Sequence, residues 1–134
     1  MKKTPHQRAE VELTEFGLTL PETDAGRGWK ETRALRVRGR LFFVFGEAWD
    51  MPGPKDELRE GLRLVMKLPV SAEMVQDLYY VRESKGWYKQ HDWVIAHFRP
   101  EDDILAEMET LKGWMIQSYC AMAPKKLAKQ VRGE

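Results

Sequence analysis

The chain has 134 residues, 43% hydrophobic and 32% charged, with a net charge of +1 at neutral pH. That length supports one domain with a real core, the composition is globular rather than disordered, and so small a net charge does not by itself point to nucleic acid or a membrane surface. No apolar run approaches the ~18–20 residues of a membrane span, the start Met1-Lys2-Lys3-Thr4-Pro5-His6 carries no apolar signal-peptide stretch, and a lone cysteine, Cys120, excludes an internal disulfide and fits a reducing cytoplasm.

Residues 7–18 read as a first helix, because Ala9, Leu13 and Phe16 recur on one face. His6 falls before it, in a terminus expected to be mobile. Gly17 weakens the helix end and Pro21 stops it. Residues 18–23 then run extended, and residues 24–28, with Gly26 and Gly28 around Arg27, read as loop. From Thr32 the period changes to two: Leu35 and Val37 alternate with Arg36 and Arg38. Arg38-Gly39 is expected to be a tight turn, since glycine accepts the positive φ of a short hairpin. Residues 41–45 are apolar on both faces, as in a covered central strand. Residues 46–61, with Pro52, Gly53 and Pro54, form a long connector in which residues 55–60 suit a helical turn. Leu62, Leu64 and Met66 alternate along a third strand. Ser71 is placed to cap a second helix over residues 71–81, with Met74, Val75, Leu78, Tyr79 and Val81 as its buried stripe. Residues 85–98 read as a second hairpin with its tip at residues 89–92. A last helix is expected from Pro100, with Glu101, Asp102 and Asp103 against the positive end of its dipole. Residues 125–132 form a short basic helix or a frayed tail.

The expected order is α-β-β-β-α-β-β-α, an α+β fold with an antiparallel sheet packed against helices. It forms a single domain over residues 1–134, with a core over 7–122 and a basic tail over 124–134. Leu41, Phe43, Phe45, Trp93, Ile95, Met108 and Leu111 are expected in one core.

Charge is segregated along the chain. Basic side chains dominate residues 25–46 and 113–134, and acidic ones dominate 100–112. Arg36, Arg38 and Arg40 alternate through the first hairpin, either as a solvated strand face or as a basic wing that touches phosphates. Trp29, Trp49, Trp87, Tyr88 and Trp93 are first of all core material. Interleaved with Arg27, Lys30, Lys85 and Lys89, they also suit base stacking or a partner groove. The three histidines do not share a ligand geometry: His91 and His97 are roughly 20 Å apart along a strand, so no metal is expected. Cys120 lies at a helix end where the dipole disfavours a thiolate, so it is read as inert. The Gly26-Arg27-Gly28 loop lacks the Lys-Ser/Thr pair of a phosphate loop. No catalytic residues and no cofactor are expected.

Four stretches carry a resemblance. They are Leu18-Thr19-Leu20-Pro21-Glu22-Thr23; Leu35-Arg36-Val37-Arg38-Gly39-Arg40-Leu41-Phe42; Tyr88-Lys89 with Trp93; and Ser118-Tyr119 followed by Pro124-Lys125-Lys126. Over most of residues 7–128 the chain resembles the MmcQ/YjbR-like family of small bacterial proteins. The resemblance implies an α-β(3)-α-β(2)-α fold of the CyaY-like or secretion-chaperone-like kind, and a non-enzymatic "double wing" DNA-binding role. The family pattern brings no catalytic residues, and the 46–61 connector is longer than its usual turn. The leading expectation is therefore DNA as partner, contacted by Arg36, Arg38, Arg40, Lys85 and Lys89, with Lys125, Lys126, Lys129 and Arg132 assisting. The alternatives are a chaperone-like protein-interaction module with a groove at Trp49, Trp87 and Trp93, or a small-molecule binder.

Overall fold

The computed structural model describes residues 4–27, 33–46 and 61–133. Trp29, Trp49, Lys30 and the helical turn expected over residues 55–60 lie outside them. The fold is α+β: a five-stranded, open, antiparallel sheet with helices packed against it.

Helix α1 (Pro5–Leu18) starts two residues earlier than its apolar period suggests. The reason is a capping box, in which the Thr4 hydroxyl accepts from Gln7 N and the Gln7 side chain accepts from Thr4 N. Ala9 and Leu13 are buried, as their spacing predicts. His6, expected in a mobile terminus, is instead buried and donates from Nε2 to Arg99 O at 2.8 Å.

The strands are β1 (Thr23–Arg27), β2 (Arg33–Val37), β3 (Arg40–Phe45), β4 (Leu62–Lys67) and β5 (Trp93–Phe98), in spatial order β1-β2-β3-β4-β5. Strand β1 corrects, through residue 27, the loop expected over residues 24–28, whose last residue lies outside the described ones. Its sequence is turn-like, but Asp24 sits directly across from Arg36 and forms an ion pair with it, so a cross-strand charge pair holds a strand that propensity does not favour. The β2–β3 connection matches expectation. Arg38 and Gly39 both have positive φ, at 47° and 80°, as a two-residue type I′ hairpin requires.

Between Leu35 and Arg36 the β2–β3 register slips, which leaves Phe42 as the extra residue of a bulge. Phe42 and Phe43 consequently both enter the larger core. This core lies on the helix-covered face with Leu35, Phe45, Leu64, Met66, Phe98, Leu111 and Tyr119. A second buried cluster occupies the other face: Ala34, Val44, Val65, Trp93 and Ile95 with Tyr88, and Leu41 and Met122 packed against it. The single core expected from the sequence is therefore two, and Trp93, Ile95 and Leu41 belong to the second.

Two more expectations are corrected between β4 and β5. Residues 71–81 are not a helix; only Met74–Asp77 makes a 3-10 turn. The backbone beyond it is needed elsewhere. His97 N donates to Tyr80 O, Arg82 N donates to Ile95 O, and Val81 bridges Ala96, so this segment covers the outer edge of β5. Met74 and Tyr79 are left exposed. Residues 85–98 are not a hairpin either, because β5 already has β4 on one side and this segment on the other. Residues 86–90 instead wind into a short helix, α2 (Gly86–Gln90), which buries Tyr88 against the second cluster. The five strands are thus divided four and one about the β4–β5 connection, rather than three and two.

Residues 100–103 form turns rather than the start of the last helix. Asp102 accepts from Arg99 N, and Asp103 caps a 3-10 turn (Ile104–Glu107) by accepting from Ala106 N. Helix α3 (Met108–Met122) then packs on the sheet, with Ser118 Oγ accepting from Lys67 N and donating to Phe42 O. The basic tail is an ordered helix, α4 (Lys125–Arg132), which buries Leu127 and Ala128. No described helix is long and apolar enough to cross a membrane.

Candidate functional site

The antiparallel registers decide which side chains meet. Val37 faces Arg40, Phe43 faces Met66, and Lys67 faces Trp93. The β2–β3 turn, the end of β4 and the start of β5 therefore lie at one end of the sheet. Helix α2 runs into β5 at this end, and Pro124, which opens α4, lines a groove of about 370 Å3 there with Val37, Arg38, Arg40 and Met122. Helix α4 turns Lys125, Lys126, Lys129 and Arg132 outward. The side chains of Arg40, Lys125 and Lys129 make no hydrogen bond or ion pair among the described residues. Lys126 lies close enough to Glu22 to add to the lowering of its pKa.

Arg36 and Arg38 behave differently. Arg36 Nε and Nη2 each donate at 3.0 Å to the two oxygens of Asp24. Arg38 Nε and Nη2 each donate at 2.9 Å to the two oxygens of Glu22. Both are two-bond forks of the geometry in which arginine meets a carboxylate or a phosphate. Arg33 makes a third with Glu10. The Arg38 hydrogen bonds hold the Glu22 carboxyl below its ordinary value. The sequence does not reveal these pairs, because the partners are 12 to 23 residues apart in the chain.

Lys85 and Lys89 sit in mixed surroundings. Lys85 Nζ is 3.8 Å from Glu83. Lys89 lines a cavity of about 530 Å3 together with Glu73, Glu83 and Asp92, and with Tyr88 and Trp93 as aromatic wall. Trp87 stacks on Trp93 with ring centroids 6.0 Å apart, meets Tyr88 edge-on at 5.4 Å, and has His91 at 5.1 Å. Of the sequence-nominated groups, Arg38, Arg40, Lys125 and Lys126 come together, Trp87 joins Trp93, and Lys85 and Lys89 stand beside the aromatic pair.

Among the described residues no group of three or more His, Cys, Asp or Glu is placed to hold a metal ion. Cys120 is half-buried near the end of α3, with Sγ 3.8 Å from Ala128 O. The helix end disfavours its thiolate, so alkylation by iodoacetamide at pH 7 is expected to be slower than for a free thiol in solution. A mass shift appearing faster than in a model peptide would show an activated thiol.

Comparison with protein-family models finds none that matches the chain, and comparison with curated protein sequences finds no match either.

Proposed function

We propose that the protein is a non-enzymatic, cytoplasmic DNA-binding domain of the MmcQ/YjbR-like kind, and that its contact surface is the β2–β3 turn with α4. The observation that carries this reading is the convergence of Arg38 and Arg40 with the start of α4 around one groove. Five cations, Arg38, Arg40, Lys125, Lys126 and Lys129, occupy the turn and the exposed side of α4. The carboxylate paired with Arg38 is that of Glu22. Non-specific DNA affinity depends on neutralised phosphates and released counterions, so a local cluster suffices where net charge is small.

Binding to a short duplex at two salt concentrations tests it. Each phosphate contact contributes about −0.9 to the slope of log K against log salt. Replacing Arg40, Lys125 and Lys126 by Gln is expected to flatten that slope by roughly 2–3 units, with the melting curve unchanged because all three are exposed. Absence of salt-dependent binding at ~50 mM salt, where the electrostatic contribution is strong, would sink the proposal.

One observation favours a protein partner instead. Val70, Met74 and Tyr79 are exposed along the β4–β5 connection, and exposed apolar side chains grouped on one segment are a feature of interaction surfaces. That reading takes over if the duplex experiment fails.

A further inference from the structure

Tyr79 is 68% exposed, on the segment that covers the outer edge of β5. It is held from behind. Its ring meets Tyr80 edge-on at 5.1 Å, and Tyr80, buried and stacked on Phe98, donates from Oη to Glu107 at 3.4 Å. The Ile104–Glu107 turn therefore lies alongside, and it brings negative charge. Residues 100–111 contain no lysine or arginine. Among the described residues Glu101, Asp102, Asp103 and Glu107 make no ion pair. Local desolvation, and then the charges of Asp102, Glu107 and Asp103, push the Tyr79 hydroxyl above its ordinary value, so these carboxylates lie near the tip of the ring. An exposed ring with an acidic rim is the complement of an apolar hole with a cationic rim.

Such a hole exists on the same chain. The groove of about 370 Å3 at the β2–β3 turn is lined by Val37, Met122 and Pro124 on its apolar side and by Arg38 and Arg40 on its cationic side. Its volume is at the small end of the ~300–1,000 Å3 range of ligand sites, which suits one ring rather than an extended ligand. A molecule cannot fill its own groove with its own Tyr79. Tyr80 O accepts from His97 N, at the end of β5 away from Trp93, whereas Arg40 lies at the Trp93 end. Three strand spacings across the sheet and at least four residues along it separate the two, roughly 20 Å.

We infer that Tyr79, with Asp102, Asp103 and Glu107 around it, docks into the Arg38–Arg40 groove of a second copy of this chain. The contact joins two different patches, so it is head-to-tail: each molecule offers a ring at one corner of the sheet and a groove at the other. It does not rest on the DNA reading, since Arg40 and Lys125 meet carboxylates here and not phosphates. Sedimentation velocity on the full chain at ~50 mM salt, where charge pairs are weakly screened, tests it at protein concentrations up to ~1 mM, the range of weak contacts. The wild type is expected to associate as concentration rises. Tyr79→Ala and Arg40→Glu change exposed side chains, and each alone is expected to weaken association about 30-fold or more, the size of an interface hot spot. Mixed together, the two variants are expected to form dimers and nothing larger, because the first keeps an intact groove and the second an intact ring. A wild type that stays monomeric throughout, a variant that associates as the wild type does, or a mixture that forms no dimer overturns the proposal.

Discussion

Phe43→Ala is expected to cost about 3–5 kcal/mol of unfolding free energy, the range for truncating a fully buried aromatic ring. Phe43 is 0% exposed and central to the sheet, with Leu35 across from it on β2 and Met66 on β4. Its ring packs on Phe45 at 5.2 Å. The bulge raises the cost further, because it puts Phe42 on the same face and in the same cluster, with its own ring edge-on to Tyr119 at 5.4 Å. A cavity at Phe43 therefore has rigid aromatic neighbours that cannot easily collapse into it. Urea unfolding followed by circular dichroism measures the effect. A loss below about 1 kcal/mol would mean that the site repacks, which measured costs of this kind rarely allow.

The second large effect concerns binding. In the proposed DNA complex, Glu22 and Asp24 compete with phosphates for Arg38 and Arg36. They are held in place to do so. Thr23 Oγ1 donates to Gly17 O and Leu20 O, Tyr119 Oη donates to Pro21 O, and Glu22 keeps a left-handed backbone at φ 57°. Glu22→Gln combined with Asp24→Asn is expected to strengthen duplex binding and to steepen the salt slope by up to about 1.8 units, two contacts at ~0.9 each. Arg36→Gln with Arg38→Gln in the wild-type background should change the slope by much less, because those two cations are already neutralised. Both are read from titrations at 50–200 mM salt. If the carboxylate changes leave affinity and slope untouched, Arg36 and Arg38 are not within reach of phosphate. The pH dependence has a definite sign. Glu22 titrates below its unfolded value, so its pairing contributes to stability above that value and is lost as pH falls through the lowered one. Acid therefore releases Arg38, and duplex affinity should rise through the same window.

The sequence made some of this legible and hid the rest for physical reasons. Period-two alternation in β2 and β4, the Arg38-Gly39 turn and the Ala9–Leu13 stripe are local signals, and each appears where its spacing puts it. Strand β1 is not local in this sense. Thr23-Asp24-Ala25-Gly26-Arg27 has poor strand propensity and is held by the pairing of Asp24 with Arg36. Helix α2 misleads in the opposite direction, since Trp87, Tyr88 and Trp93 favour strands in isolation, yet both edges of β5 are already occupied. Arg36, Arg38 and Arg40 of the first hairpin were legible as a row of cations. The pairing of Arg36 and Arg38 was not, because it depends on carboxylates brought from the Glu22–Asp24 segment by the fold.

The registers that gather Arg40, Lys67 and Trp93 at one end of the sheet also send the β3–β4 connection out at the other. Strand β3 leaves at Phe45 and β4 enters at Leu62. Gly46 and Gly61 flank the departure with φ of 109° and 84°, and a Cβ on Gly61 would run into Phe98 O. The two glycines act as fixed gateposts, while the length of chain between them costs only about 0.6 kcal/mol per doubling in closure entropy. Sequence can thus be gained or lost at this pole, beside the start of α1 and Pro100, without moving the cations and indole at the opposite pole. The β3–β4 connection is thus the place where insertion of a tag or a second domain is expected to disturb the far end of the sheet least.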